Sequence, residues 1–392
     1  MANIMIVPWP EFGHVNPTLK LAKALNAAGH KVCYLGIADF EHYIRSQGLE
    51  FRPILESSYP RGQATEQAGK GKVDRIHAML LEARSRKALD LLRETQNEVK
   101  EVLAEMRPDL FLTDVILSHL ADMAAYEFGT LTVLLNVMVM GDFFMPTVYP
   151  RTQPPMLVLC PQEFDFPSAN GKGDRHYIEP CIDLQRKEIN PFPWDKVDET
   201  KPLIYCSLGS VSYIYESTHR FFRAVIEAMG QRQDRQIVLS IGPHLDVNDF
   251  HPIPGNVLAV NWAPQLEILK RASLMITHGG LGTVKECIYF GVPMIVFPAK
   301  YDQPHNAARV AFHGIGLQAK IDTVSAEEIG SLIDKIDRNP SFKSRCDSMS
   351  KIFREIEHSG RGVGIIDGLL HSRGTRAGKV PLESSSDLSL AH

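Results

Sequence analysis

The first 37 residues contain an apolar run, a helical pattern and a second apolar run, and this order constrains the fold more than any other feature. Residues 3–8 and 31–37 are short apolar runs bounded by turn residues, as buried strands are. Between them, apolar residues recur at helical spacing over 19–25, and Gly29 follows as a helix stop. A strand, a helix and a strand within about 35 residues form a βαβ unit, so a parallel sheet is predicted.

The same alternation continues to about residue 140 and restarts at residue 203. Further strands are predicted at 49–55, 109–114 and 130–137, and then at 203–209, 237–241, 257–260, 274–277 and 294–297. Helices are predicted at 73–106, 119–129, 216–229, 325–338 and 341–370, the last interrupted at 359–364. We therefore predict an α/β protein built from two doubly wound Rossmann-like domains that face each other across a cleft.

The domain boundaries follow from a proline-rich interval between residues 138 and 201. We assign residues 1–190 to a first domain, 191–202 to a linker and 203–372 to a second domain. Residues 373–392 are rich in Gly and Ser without a period, so a disordered tail is expected there. Ligands often bind in the cleft between two such domains.

Composition and charge exclude several classes of protein. The net charge of −4 and the lack of a basic cluster argue against nucleic acid binding. The N-terminus shows no signal-peptide pattern, and the apolar run 131–141 is shorter than the ~20 residues of a membrane span. A cytoplasmic protein without stable membrane insertion is therefore expected. The six cysteines have no metal-binding spacing, so buried free thiols are predicted.

His14 lies after the first predicted strand, and Asp114 ends the predicted strand 109–114. The carboxyl ends of the two strands meet at one edge of the sheet. A neutral imidazole there can take a proton from a hydroxyl, and a carboxylate on its far ring nitrogen can fix the tautomer. Each residue could also have a purely structural role. His14 could be a packing or helix-start residue, and Asp114 could be the N-cap of the next helix.

Several enzyme motifs are missing from the sequence. It contains no G-x-S-x-G nucleophile elbow, no H-E-x-x-H metal motif, no P-loop and no G-x-G-x-x-G after the first strand. The turn 207–210, which ends at Ser210, therefore suits an anion contact better than hydrolase chemistry. A glycoside hydrolase needs two carboxylates beside the bond, and nothing in the sequence marks such a pair.

A glycine-rich turn, HGGLGT at residues 278–283, lies between the predicted strand 274–277 and a helix predicted at 284–291. Glycines let backbone N–H groups approach an anion, and a helix N-terminus carries roughly half a positive charge. The alternative is a tight turn that binds nothing. Nearby, Trp262 could stack on a base or pack in the core, and Glu286 could bind a ribose diol or face solvent.

The order W-A-P-Q, H-G-G, G-T, E, G-V-P, D-Q and N-A between residues 262 and 307 resembles the donor-binding signature of the family 1 glycosyltransferases, which have the GT-B fold. The likeness extends over nearly the whole chain to about residue 370. It implies that Trp262 stacks on the uracil, that Gln265 contacts the base or ribose, and that Glu286 binds the ribose. Asp302 and Gln303 would bind the sugar. The diphosphate would be bound by Ser210, His278, Gly280, Gly282 and Thr283. The likeness also implies that His14 is the catalytic base and Asp114 its orienting acid. Leu281 and Gly282 replace polar positions of the plant members, so sugar choice should depend more on Asp302 and Gln303.

The resemblance further implies an inverting transfer of a hexose, with glucose expected, from a UDP-sugar to a hydroxyl of a lipophilic small molecule. A polyketide, macrolide, flavonoid, terpenoid or carotenoid would be such an acceptor. The UDP-sugar is a co-substrate, and neither a cofactor nor a metal is expected. Met-rich and Phe-rich stretches suggest an adaptable acceptor side lined by Met79, Met138, Phe143 and Phe144. The protein is expected to be a monomer or weak dimer.

Two alternative functions remain open from the sequence alone. An enzyme of the same fold could act on a nucleotide sugar with different chemistry, as a GlcNAc transferase or an epimerase, although His14 in the first loop argues against this. A non-catalytic homologue could bind the nucleotide sugar as a partner or activator. Such a homologue would be expected to lose His14 or Asp114, and this chain keeps both.

Overall fold

The computed structural model describes residues 1–62, 86–139, 147–167, 174–187, 191–210, 212 and 215–377, with the backbone alone given for 86–92 and 373–377. These residues form two parallel β-sheets that carry helices on their faces. The predicted α/β class with two Rossmann-like sheets is therefore confirmed.

The described part of the first sheet has seven strands in the order β3-β2-β1-β4-β5-β6-β7. They are β1 (Asn3–Val7), β2 (Lys31–Ile37), β3 (Glu50–Ile54), β4 (Leu110–Asp114), β5 (Leu131–Asn136), β6 (Met156–Val158) and β7 (Arg175–Tyr177). The longer strands are apolar along most of their length because helices cover both faces of a parallel sheet. The strand order reverses between β1 and β4, and ligands bind beyond the carboxyl ends of strands at such a point.

Four described helices cover the first sheet. They are α1 (Phe12–Ala27), α2 (Glu41–Ser46), α3 (Arg86–Met106) and α4 (Ser118–Phe128). Helix α1 begins at Phe12, well before residues 19–25, over which the apolar spacing predicts a helix. The N–H groups of His14 and Val15 donate to the Glu11 carbonyl at 2.9 Å, and the helix continues through Pro17. The predicted strand-to-helix loop is therefore short, and His14 belongs to the first turn of α1.

The second sheet has six described strands in the order β10-β9-β8-β11-β12-β13. They are β8 (Leu203–Ser207), β9 (Gln236–Ser240), β10 (Val257–Val260), β11 (Ala272–Thr277), β12 (Met294–Val296) and β13 (Gly316–Gln318). The helices that follow are α5 (Thr218–Gly230), α6 (Gln265–Leu269), α7 (Leu281–Phe290), α8 (Gln303–Phe312), α9 (Ala326–Asp337), α10 (Ser341–Glu357) and α11 (Arg361–Ala377). This sheet also reverses its order beside its first strand, between β8 and β11.

Three short strands were not predicted from the sequence. β6, β7 and β13 each have three residues, which is too short for a strand periodicity to appear. β6 and β7 lie in the proline-rich interval, where the sequence predicts irregular structure, and they extend the first sheet at one edge. The first sheet is therefore wider than the sequence indicated.

The C-terminal helix α11 packs on the first domain rather than the second. Ile366 is fully buried in the apolar core around α1. At the preceding turn, the Lys20 ammonium pairs with the Glu357 carboxylate, and the Gly362 N–H donates to Glu179 Oε2 at 3.0 Å. The structure thus differs from the predicted assignment of residues 203–372 to one domain, and helix continues through residue 377, beyond the predicted start of disorder.

The two domains share an apolar cluster at their junction. Val139, Val158 and Phe164 from the first domain are buried with second-domain residues such as Tyr205 and Met275. Burial of apolar surface is the main source of stability for such contacts. All six cysteines are free thiols, as predicted, and five are buried. Within the described ranges, no helix has the length and apolar character needed to cross a membrane.

Candidate active site

His14 and Asp114 meet at the carboxyl edge of the first sheet. β1 and β4 are parallel neighbours in which Val7 pairs with Thr113. The end of β4 at Asp114 therefore lies beside the segment that follows β1. His14 Nδ1 lies 2.7 Å from Asp114 Oδ2, and both side chains are buried. The structure therefore brings together the two residues predicted as catalytic, and this arrangement leaves Nε2 as the nitrogen that can take a proton.

The Asp114 carboxylate has two functions in the fold. Its Oδ2 accepts from the His14 ring, while its Oδ1 accepts from the Ile116 N–H at 3.0 Å and caps the turn after β4. The N-cap and the orienting acid are alternatives when only the sequence is considered. Because a carboxylate has two oxygens, one residue can perform both roles.

The pKa of His14 is raised above its ordinary value of 6.5 by charges that outweigh its burial. Burial alone lowers this pKa, whereas the nearby Asp114 carboxylate and its hydrogen bond raise it, with smaller contributions from Glu11 and Asp302. Asp302 comes from the second domain, as the N-cap residue of α8. The base candidate of one domain and the sugar-contact candidate of the other are thus close enough to interact electrostatically.

Asp302 is itself a perturbed carboxyl group. Burial raises its pKa from 3.8 to about 6, although the Asn306 amide, which donates to Asp302 Oδ2 at 2.7 Å, and the His14 charge oppose the rise. The pKa of Asp302 is therefore higher in the folded protein than in the unfolded chain. Its contribution to folding stability is fully present below pH ~4 and is lost as the pH rises through about 6.

We expect the Asp302→Asn variant to gain stability relative to the wild type at high pH. The buried carboxylate is ionised at pH 8 and mostly neutral at pH 5, so the advantage should grow by about 1 kcal/mol between these values. Chemical denaturation of both proteins at the two pH values measures this difference. Asp249→Asn, on an exposed carboxyl, is the control. An advantage that is equal at the two pH values would contradict the expectation.

Glycines from two turns enclose the ring of His278. A Cβ on Gly209, in the turn after β8, would lie 2.7 Å from His278 Cε1. A Cβ on Gly280, in the glycine-rich turn, would lie 2.8 Å from Nε2, so only glycine fits at both positions. Gly209 and Gly279 also have positive φ angles of 80° and 87°. Burial lowers the pKa of His278 to about 4. With no anion bound, the imidazole is therefore neutral at neutral pH, and an anion placed beside it would raise this pKa.

One cavity of about 130 Å³ lies between the domains and is lined by many of the residues predicted to bind the donor. The predicted residues that line it are Ser210, Trp262, Gln265, Gly282, Thr283 and Glu286. From the first domain, Phe12 and Gly13 of α1 line it as well. His278, Gly280, Asp302 and Gln303 are not among its lining residues. The residues predicted to contact the base and the ribose therefore line the same cavity as the first residues of α1, the helix that contains His14.

Phe12 was not identified from the sequence. Its ring centroid lies 5.7 Å from that of Trp262, with a tilt of 57°, and it also packs on Phe40 and Tyr43. The residue adjoins the Gly13-His14 pair, but an aromatic residue at a helix start carries no functional signal by itself. Trp262 therefore faces a first-domain aromatic ring across the cleft.

Glu286 is held from two sides. The Arg186 guanidinium lies 3.0 Å from Glu286 Oε1, and the Gln265 amide donates to Oε2. Gln265 also lies 3.3 Å from Thr283 Oγ1. Arg186 was not identified from the sequence, because it lies 100 residues before Glu286 in a stretch without a recognisable pattern.

The Gln303 amide secures its own loop. Its Oε1 accepts from the backbone N–H groups of Ala299 and Lys300, and its Nε2 donates to Tyr215 Oη at 2.7 Å. With 3% of the residue exposed, this side chain offers little surface to a sugar unless the loop rearranges. Asp302, which precedes it, is also buried, and its carboxylate accepts from the Asn306 amide.

A buried lysine links the helix after the glycine-rich turn to the first domain. Lys285, in α7, donates to the Leu159 and Pro180 carbonyls at 2.6 and 2.7 Å.

The metal and acceptor predictions can be compared with the structure only in part. Among the described residues, no group of three His, Cys, Asp or Glu side chains could hold a metal ion. Of the predicted acceptor residues, Met138 packs against the first-domain cores. Met79, Phe143 and Phe144 lie outside the described residues.

The chain is similar to several known glycosyltransferases. Residues 223–353 match the family model of the erythromycin biosynthesis protein CIII-like C-terminal domain. The uncharacterized UDP-glucosyltransferase YojK of Bacillus subtilis is 26% identical over 95% of this chain and 98% of its own length. Demethyllactenocin mycarosyltransferase of Streptomyces fradiae is 24% identical over 94% of this chain and 87% of its own length. The solved structure of the kitacinnamycin glycosyltransferase shares the fold, with a TM-score of 0.73 at 22% identity over 94% of this chain and 99% of that chain.

Proposed function

We propose that this chain, which belongs to the family 1 glycosyltransferases with the GT-B fold, transfers a hexose from a UDP-sugar to a hydroxyl of a lipophilic small molecule. The chain is a transferase, and its relatives include a UDP-glucosyltransferase and a mycarosyltransferase. Glucose is the proposed sugar because the first of these relatives is named for it. The proposed acceptor is a polyketide, macrolide, flavonoid, terpenoid or carotenoid.

The observation that carries this proposal is the His14–Asp114 pair at the edge of the cleft. With Nδ1 engaged by Asp114, His14 Nε2 can remove the proton from an acceptor hydroxyl. The hydroxyl oxygen then forms a bond to the anomeric carbon as the bond from that carbon to the UDP oxygen breaks. The proton stays on His14, where Asp114 stabilises the imidazolium. A single displacement of this kind inverts the anomeric configuration.

The donor would bind on the second-domain side of the cleft. In this proposal Trp262 stacks on the uracil and Gln265 contacts the base or ribose. Leaving-group charge would be met by the N-terminus of α7, by Thr283 and by Ser210. His278 would contribute a ring N–H to the diphosphate. The scheme requires no cofactor or metal, since these groups would stabilise the diphosphate.

The acceptor would bind on the first-domain side. Met138 is partly buried against the first-domain core, and Met79, Phe143 and Phe144 remain part of the proposal from the sequence. A Met-containing surface adapts to different apolar shapes, so more than one acceptor is expected. We further propose a cytoplasmic monomer or weak dimer.

A screen of nucleotide sugars against a mixed acceptor library tests the proposal. We expect mass spectra to show acceptors, including flavonoids and macrolides, that gain one hexose when UDP-glucose is supplied, together with release of UDP. Binding of UDP without any transfer would favour a non-catalytic homologue. Transfer confined to highly polar sugars or cell-wall lipids would contradict the proposed acceptor class.

A further inference from the structure

A buried cation reaches the nucleotide cavity from the connection that follows β7. Arg186 lies 3.0 Å from Glu286, and only 8% and 9% of the two side chains are exposed. Both residues line the cavity that also contains Trp262 and Gln265. Charged side chains are rarely buried to this degree unless they are paired, and here each of the two neutralises the other.

The contacts of Glu286 fix the plane of its carboxylate. Oε1 accepts from Arg186 and Oε2 accepts from Gln265, so the group is held at both oxygens. An ionised carboxylate has about four acceptor positions, which is enough to receive two further hydroxyl donors. Two hydroxyls on adjacent carbons, as in a ribose, match that geometry.

Arg186 is anchored on the first-domain side of the cleft, whereas Glu286 belongs to α7 of the second domain. Near Arg186, Asp183 pairs with Lys23 of α1. The Lys187 N–H donates to Gln47 Oε1 at 3.2 Å. The ion pair therefore bridges the two domains at the nucleotide cavity, and the pair is complete only when the domains are together.

We propose that Arg186 is a positioning residue of the donor site that holds the Glu286 carboxylate in the orientation which receives both ribose hydroxyls. It would thereby make the enzyme select ribonucleotides over 2′-deoxyribonucleotides. The inference rests on the proposed function, because it takes Glu286 as the ribose ligand. Without the guanidinium, the carboxylate can turn about its side-chain bonds, and a two-point contact to the diol is lost.

Calorimetric titration of the full chain with UDP and with 2′-deoxy-UDP tests this role, because these ligands differ only in the 2′-hydroxyl. We expect the wild type to bind UDP about tenfold or more tightly than 2′-deoxy-UDP, the scale of a hydrogen bond to a charged group. In Arg186→Met the preference should fall to about threefold or less. Arg186→Lys keeps the charge but not the planar fork, so an intermediate preference is expected.

Two comparisons separate positioning from simple structural support. Arg52→Met removes an exposed ion pair with Glu105 and should leave the preference unchanged. In a Glu286→Gln background, Arg186→Met should have no further effect on the preference if Arg186 acts through Glu286. Equal weakening of both ligands in Arg186→Met, or a wild type without a preference, would overturn the inference.

A transfer assay with UDP-glucose keeps the inference separate from the proposed function. If sugar transfer occurs and the ligand preference does not depend on Arg186, the inference fails and the function stands. If the preference depends on Arg186 but no acceptor gains a sugar, the inference stands and the proposed function fails.

Discussion

Replacement of His14 by Ala is expected to lower the turnover number for sugar transfer by about 10²–10⁴-fold, the range that a general base contributes. The imidazole is held 2.7 Å from Asp114 at the cleft edge, and alanine supplies no group that could take the acceptor proton there. UDP binding should change little, because the proposed nucleotide contacts come mainly from the second domain. Steady-state kinetics and calorimetric titration with UDP measure the two effects.

His30→Ala is a matched control for this experiment. His30 also pairs with a carboxylate, at 2.9 Å from Asp367 Oδ1, but the pair joins the end of α1 to α11 and is not part of the cavity. We expect this variant to retain most of the transfer rate. A His14→Ala variant with near-wild-type turnover would remove His14 from the mechanism.

Replacement of Asp114 by Asn is expected to lower the same rate by a comparable factor, about 10²–10⁴-fold. The amide cannot stabilise the imidazolium by charge, and it can hold the ring in the wrong tautomer. Asparagine keeps an oxygen that can accept the Ile116 N–H, the bond made by Asp114 at 3.0 Å. The turn after β4 should therefore survive, and thermal unfolding of the variant checks that the fold is intact.

The pH dependence of kcat/KM in Asp114→Asn shows whether the variant has lost the effect of the Asp114 charge on the His14 pKa or has suffered general damage to the site. In the wild type, His14 must be neutral to act, so kcat/KM should fall as the pH decreases through a His14 pKa that lies above 6.5. In Asp114→Asn, burial is left as the dominant influence and lowers this pKa. We expect the acid limb to move to lower pH while the plateau falls. An acid limb at the wild-type position would show that Asp114 does not control His14.

Much of the fold could be predicted because each long element has a local signal. The central strands are continuous apolar runs, and helices such as α9 (Ala326–Asp337) have a clear amphipathic period. The His14–Asp114 contact was also predictable, since His14 follows β1 and Asp114 ends β4, and both strands end at the same edge of a parallel sheet. For these elements, local pattern and sheet topology were sufficient.

The remaining features depend on contacts between distant parts of the chain. The pair formed by Arg186 and Glu286 joins positions 100 residues apart, and neither residue has a neighbourhood that indicates the other. Phe12 contacts Trp262, and Tyr215 accepts from Gln303, through packing of segments that are far apart in the sequence. Gln303 also holds its loop in place by accepting from the N–H groups of Ala299 and Lys300. The positions of these N–H groups are set only when the loop is folded.

The return of α11 to the first domain makes that domain discontinuous along the chain. Its core is built from residues before the linker and from Ile366 near the end, whereas the intervening second domain is one uninterrupted segment. A chimera that exchanges second domains between related enzymes would therefore need two splice points, one before β8 (Leu203–Ser207) and one between α10 (Ser341–Glu357) and α11 (Arg361–Ala377). A single splice would place a foreign α11 against the native α1, where the two surfaces would not match.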